Sequence, residues 1–296
     1  MLFFTLLHLV LMASRALGTE NIRSSKKGVV VPHWPSVKCG DLDAFKTIGW
    51  WYNYHTFPEI YESKPNWCTC EDGKPPQDHS VCFPSDPEVV FVPLVHGIKG
   101  FGNRPEEDDP PVREEFDIVL GYNEPNQPDQ SNIPPEEAAL AWIELQALYP
   151  NKTLVSPSCS GANTVWMDEF MNICEDLGCR IDYIATHIYP KGTVTSAMNT
   201  LKNYSERYGK KIWLTEFARR NTHNASEVIE FIEEFLPQLE AADYIWRYSW
   251  FLTRYYDNPV DDSGNFWIDG RINTLLDFSE PKLTATGSAY DKPWHQ

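Results

Sequence analysis

The sequence predicts a single (β/α)8 barrel. Three observations carry that reading: eight short apolar runs spread along 296 residues, amphipathic stretches between several of them, and a glutamate at the carboxyl end of two of the runs. The runs cover residues 28–31, 49–54, 89–95, 116–122, 153–156, 181–189, 211–217 and 244–252. Alternation of buried strands with helices argues for a parallel α/β fold, and eight units favour a closed barrel over the alternative, an open doubly wound sheet. Ile118-Val119-Leu120 has the unbroken apolar character of a strand buried on both faces.

Taken in order, residues 1–18 read as a secretory signal. An apolar core from Leu2 to Ala13 precedes Ala16-Leu17-Gly18, a small-x-small cleavage site. The core is shorter than the ~20 residues a spanning helix needs, so a membrane anchor is the lesser reading. Residues 19–27 form a polar leader, and the barrel domain is expected over residues 28–296. Asn151, Asn203 and Asn224 each open an Asn-x-Ser/Thr acceptor for glycosylation, as suits a secreted, extracellular chain.

Seven cysteines fit an oxidising compartment. Cys174 and Cys179 flank a helix end and are expected to close a small loop. Cys39, Cys68, Cys70 and Cys82 supply two more bridges of open pairing, which leaves Cys159 as a free thiol. A zinc site of Cys68, Cys70, His79 and Cys82 is the alternative, disfavoured by the same compartment.

Between the runs, Pro134-Pro135-Glu136-Glu137 opens a helix with proline and acids where a start favours them, and Leu140, Trp142, Ile143 and Leu148 supply apolar positions. Val194, Met198, Leu201, Tyr204 and Tyr208 mark a second helix, ended by Gly209; Ser226 caps a third, with Val228, Ile229, Ile232 and Leu236 facing in. Residues 57–87 and 255–273 are long irregular segments, expected on the carboxyl face of the barrel after the second and eighth strands.

A formal net charge of −17 argues against phosphate backbones and anionic lipid as partners, because both recruit Lys and Arg clusters. A neutral ligand and a monomer are expected, with no metal or other cofactor. The chain contains neither the Gly-x-Ser-x-Gly nor the His-Glu-x-x-His pattern of serine and zinc hydrolases.

The chemistry gathers at Glu124, at the end of the fourth run, and Glu216, at the end of the seventh. They lie 92 positions apart, three βα units of about 31 residues, the unit length of a ~250-residue barrel. Two carboxylates facing each other across a barrel mouth are what glycosidic bond cleavage requires, one protonating the leaving oxygen and one attacking carbon or activating water. The acid is therefore expected to hold the higher pKa, Glu124 above Glu216. Tyr52, Asn53 and Tyr54 at the end of the second run, His187 and Tyr189 at the end of the sixth, and Trp250 at the end of the eighth suit a sugar site. Aromatic planes pack on the C–H faces of sugar rings while Asn and His bond hydroxyls.

Gly121-Tyr-Asn-Glu-Pro-Asn126, Thr186-His-Ile-Tyr189, Trp213-Leu-Thr-Glu-Phe-Ala218, Tyr248-Ser-Trp-Phe251, Leu275-Leu-Asp277 and Leu283-Thr-Ala-Thr-Gly287 resemble glycoside hydrolase family 128, a retaining clan A family of (β/α)8 barrels. The resemblance runs from about residue 28 to 290. It implies a β-1,3-glucanase with Glu124 as acid/base, Glu216 as nucleophile and Asn123 bonding the sugar 2-hydroxyl. Asn126 departs from it, since the family usually carries Asp there. The competing expectation, from another class, is a secreted β-glucan-binding protein that has lost activity.

Overall fold

The computed structural model describes residues 22–31, 37–58, 68–69, 82–102, 110–255 and 268–294. Eight strands make one parallel sheet: β1 (Ser24–Val30), β2 (Ile48–Tyr52), β3 (Val90–Phe91), β4 (Ile118–Leu120), β5 (Thr153–Ser160), β6 (Tyr183–Ile188), β7 (Ile212–Phe217) and β8 (Ile245–Trp250). Their order is β3-β2-β1-β8-β7-β6-β5-β4. The two end strands then meet. A parallel bridge joins Leu94 to Leu120, where Leu120 N–H donates to Pro93 O at 2.9 Å and Val95 N–H to Leu120 O at 3.0 Å. The fold is the (β/α)8 barrel that the sequence predicts.

Each apolar run holds one strand, with shifted ends. β1 begins at Ser24, inside the polar leader, because its lysine can be satisfied where it lies. Lys27 is fully buried, and its ammonium donates to Thr47 Oγ1 at 3.0 Å, Tyr290 O at 3.1 Å and Lys292 O at 2.6 Å. β5 runs on to Ser160, so its end reaches the barrel mouth.

Four helices follow β4 to β7: α1 (Pro135–Leu148), α2 (Thr164–Leu177), α3 (Val194–Tyr208) and α4 (Ala225–Ala241). Two short ones, α5 (Gly270–Asn273) and α6 (Ala285–Tyr290), come after β8. Two sequence expectations need correction here. On α1 the inward face is Ala138, Ala139, Trp142 and Leu145, while Leu140 and Leu148 are 50% and 59% exposed, because the large indole fixes which stripe turns inward. The cap of α4 is Asn224, whose Oδ1 accepts Ser226 N–H at 3.0 Å, so Ser226 is the capped residue and not the cap.

Two apolar layers result. Inside the barrel, Trp50, Tyr52, Leu120, Val155 and Trp213 form the plug, and outside it the helices pack on Trp142, Phe170, Phe217 and Trp250. Full burial of one such indole contributes on the order of 4–6 kcal/mol, from ~150–250 Å² at ~25 cal/mol per Å². No helix among the described residues is long and apolar enough to cross a membrane.

Cys174 and Cys179 are bridged, and Cys159 is a buried free cysteine. Cys39 and Cys82 are also disulfide-bonded, which removes Cys82 from any zinc set. The side chains of Cys68, Cys70 and His79, residues 1–18 with the expected signal, and residues 256–267 lie outside the described residues. Asn151, Asn203 and Asn224 are all exposed.

Candidate active site

β4 ends at Leu120, four positions before Glu124, and the chain then turns sharply. Glu124 takes φ +43°, a left-handed conformation that a side-chain-bearing residue adopts only when its neighbours hold it there. They do so from both sides. Asn123 N–H donates to His96 O and Glu124 N–H to Ser158 O, each at 2.9 Å, so the turn is tied to the segment after β3 and to β5. Asn126 completes the hold: its side-chain amide accepts Ser160 N–H at 2.9 Å and donates to Ser160 O at 3.2 Å.

Glu216 lies within β7 and points inward, 6% exposed at its side chain, against 13% for Glu124. Tyr54 Oη donates to its Oε1 at 2.5 Å, and Tyr189 Oη donates to its Oε2. Tyr54 needs φ +65° to aim its phenol there. Between the carboxylates stands His187, fully buried. Its Nδ1 is 2.8 Å from Glu124 Oε1 and 3.3 Å from Glu216 Oε2. One oxygen of each glutamate and the histidine nitrogen all lie within 4.8 Å of one another.

This bridge sets the electrostatics. Burial opposes charge on His187, but Glu216 and the hydrogen bond and charge of Glu124 outweigh it and hold its pKa above the usual imidazole value. Burial likewise pushes Glu124 up, yet the bonds from His187 and Ser160 and the imidazolium charge bring it below an ordinary carboxyl. Glu216 is lifted, first by burial and then by the charge of Glu124, against the partial offset of His187, Tyr189 and Tyr54. The expected order of the two glutamates is thus reversed in the free protein. Burial, and after it the negative charge of Glu216, raises Tyr54 and Tyr189 well above a free phenol, so both remain donors.

The remaining residues singled out from sequence fall into different places. Tyr52 is fully buried below the site, its phenol on Thr215 O at 3.0 Å. Asn53 pins its own turn, accepting His55 N–H at 3.1 Å and donating to Phe57 O at 3.2 Å. Asn123 donates through Nδ2 to Gln130 Oε1 at 3.1 Å, and its Oδ1 is buried without a partner among the described residues. Trp250 is not at the mouth. Its indole donates to Asn273 O at 2.8 Å and packs on Phe217 and Tyr290 in the outer layer. Asn126, marked in the sequence as a departure from the family pattern, holds the turn through Ser160, which the sequence does not single out. The only signal for Ser160 is its position at the end of β5.

Beside Tyr189 opens a cavity of about 370 Å³ lined by Gln127, Ser160, Thr193, Ser196, Lys191 and Arg220 among others. A larger hollow of about 600 Å³ between α2 and α3 lies outside the barrel and away from the carboxylates.

Known proteins share the fold. Among solved structures, an endo-β-1,3-glucanase of GH128 subgroup II from Sorangium cellulosum is 25% identical, with a TM-score of 0.65 over 90% of this chain and 97% of that one. A GH128 subgroup V exo-β-1,3-glucanase from Cryptococcus neoformans shares the fold at 23% identity and a TM-score of 0.67, covering 92% of this chain and 100% of its own. A GH128 subgroup I endo-β-1,3-glucanase from Amycolatopsis mediterranei, solved with laminaritriose, gives 21% and 0.64 over 90% of this chain and 99% of that one. Alkali-sensitive linkage protein 1 of Schizosaccharomyces pombe is 36% identical over 144 residues, which are 45% of this chain and 26% of that protein. The model of the glycosyl hydrolase catalytic core family matches residues 28–290, and the chain belongs to that family.

Proposed function

We propose that the chain is a secreted, retaining β-1,3-glucanase that works by double displacement. The observation that carries this reading is the pair of strand-end carboxylates with oxygens within 4.8 Å, bridged by one histidine. Retaining glycosidases hold the two carboxyl groups roughly 5–5.5 Å apart, whereas inverting ones leave roughly 6.5–9.5 Å for a water. The glucan linkage rests on the GH128 relatives, one of which was solved with laminaritriose. Secretion rests on the reading of residues 1–18.

Glu216 attacks the anomeric carbon, its two phenol donors and burial aiming one lone pair at the sugar. Glu124 protonates the departing oxygen and then, as base, takes a proton from the water that frees the product. The proton on His187 Nδ1, 2.8 Å from Glu124 Oε1, supplies the acid. Its transfer as substrate enters leaves Glu124 protonated and Glu216 ionised with no change in the total charge of the three groups.

Product analysis on linear β-1,3-glucan, with Glu216→Gln alongside, tests the reading. Release of oligosaccharides by the wild type and none by the variant is expected, and the product ladder separates endo from exo action. Binding of glucan by both proteins with no release by either would replace the enzyme with a glucan-binding protein.

A further inference from the structure

We infer that the Glu124–His187–Glu216 constellation is also an inhibitory site for one borderline divalent cation, zinc or copper, that competes with glucan. The inference concerns the donor atoms themselves; only its competition with glucan rests on the function proposed above. Zinc takes nitrogen at about 2.0–2.1 Å and carboxylate oxygen at about 2.0–2.2 Å, so adjacent donors of a tetrahedral site stand roughly 3.3–3.5 Å apart. His187 Nδ1 is 3.3 Å from Glu216 Oε2 and 2.8 Å from Glu124 Oε1, and all three donors fall within 4.8 Å. Small side-chain rotations bring them onto one ion.

The chemistry of the donor set selects the ion. An imidazole and two carboxylates suit zinc or copper, while magnesium and calcium favour all-oxygen shells. The ion takes the place of the shared proton, and the negative protein, at −17, favours a dication at the mouth. Glu124, the more exposed of the two glutamates, marks the side from which it enters. Among the described residues the ring's other nitrogen, Nε2, has no hydrogen-bond partner, so the outer support of a resident catalytic metal is missing. The site therefore fits a reversible inhibitor. His223, which also faces a carboxylate, does not offer the same chemistry, because the Arg271 guanidinium bonds Asp269 at 2.6 Å and approaches His223 Nδ1 at 3.5 Å.

The ion holds Glu124 in its ionised form, unable to serve as the acid, and commits Glu216 as a ligand, so turnover stops while it stays. Titration calorimetry of metal-free protein with zinc chloride, and visible absorption with cobalt chloride, read binding without turnover. One ion per chain is expected, with the bands of four-coordinate cobalt. Affinity falls at least roughly tenfold in His187→Gln and in the near-isosteric Glu216→Gln, and is kept in His223→Gln. Laminaritriose displaces the metal, and in steady-state assays zinc raises the apparent KM while kcat extrapolates unchanged, reversed by a chelator. Equal affinity in wild type, His187→Gln and Glu216→Gln would overturn the inference. So would zinc binding that saturating laminaritriose leaves intact in a protein shown to bind that sugar. A protein that cleaves no glucan yet binds zinc with the stated variant pattern keeps the metal site and loses the proposed function.

Discussion

Tyr189→Phe removes one oxygen and little else. Its phenol is one of two that donate to Glu216, the other being Tyr54 at 2.5 Å. A hydrogen bond to a charged group is worth about 1.5–3 kcal/mol. If that bond holds the ionised nucleophile, its loss lowers kcat by roughly 10–150-fold. The sign of the pH effect follows from the same bond. Glu216 already stands above an ordinary carboxyl because of burial, and the Tyr189 bond pulls it down. Without that pull it rises further, and since only the ionised form attacks carbon, the acidic limb of the pH profile of kcat/KM moves to higher pH. Hydrolysis of a β-1,3-linked oligosaccharide between pH 3 and 8 measures both quantities, the range being about that in which carboxyls and imidazoles titrate. A variant that loses only KM and keeps its acidic limb would refute the assignment of Tyr189 to the nucleophile.

Three further outcomes follow from other parts of the molecule. Asn126→Asp loses the donor to Ser160 O and adds a negative charge beside Glu124, so the basic limb moves to higher pH and kcat falls roughly 2–10-fold, for a neutral bond of about 0.5–1.5 kcal/mol; an unmoved profile contradicts this. Gly287→Ala would set a Cβ 1.9 Å from Leu275 O, and overpacking against backbone costs about 1–3 kcal/mol or more, seen as a lower Tm. Lys27 is brought by burial from 10.5 to about 8 in the folded state. Between those values the unfolded chain holds a proton that the folded one has released, so this group adds stability as pH rises from about 8 to 10.5. Urea unfolding of the wild type and Lys27→Met at pH 8 and 10 should show the gap between them shift in favour of the wild type, and a constant gap contradicts the assignment.

The barrel was legible because its strands are continuous apolar runs at even spacing, and the carboxylates because each closes such a run. The same property hid the facing of side chains. In a strand buried on both sides, Tyr248, Ser249 and Trp250 give no parity signal, and successive residues point to opposite faces. Ser249 turns inward, donating to Thr215 O, while Trp250 goes to the outer layer. Helix faces failed similarly on α1, where one indole outweighed two leucines. The start of β1 was missed because a buried lysine looks like a solvent residue until three acceptors from distant positions surround it. The pKa order of Glu124 and Glu216 depends on His187, 63 positions from Glu124 in the chain and 2.8 Å away in space. Nothing local to either glutamate encodes that.

The central claim is that Glu216 becomes covalently bonded to the sugar while Glu124 serves it as acid and base. Incubation with a 2-fluoro β-1,3-linked glucosyl donor, followed by mass mapping of the digested protein, addresses it directly. The account predicts one adduct per chain on the peptide containing Glu216, and first-formed products of β configuration by proton NMR. An active protein that yields no adduct and releases α products would contradict it.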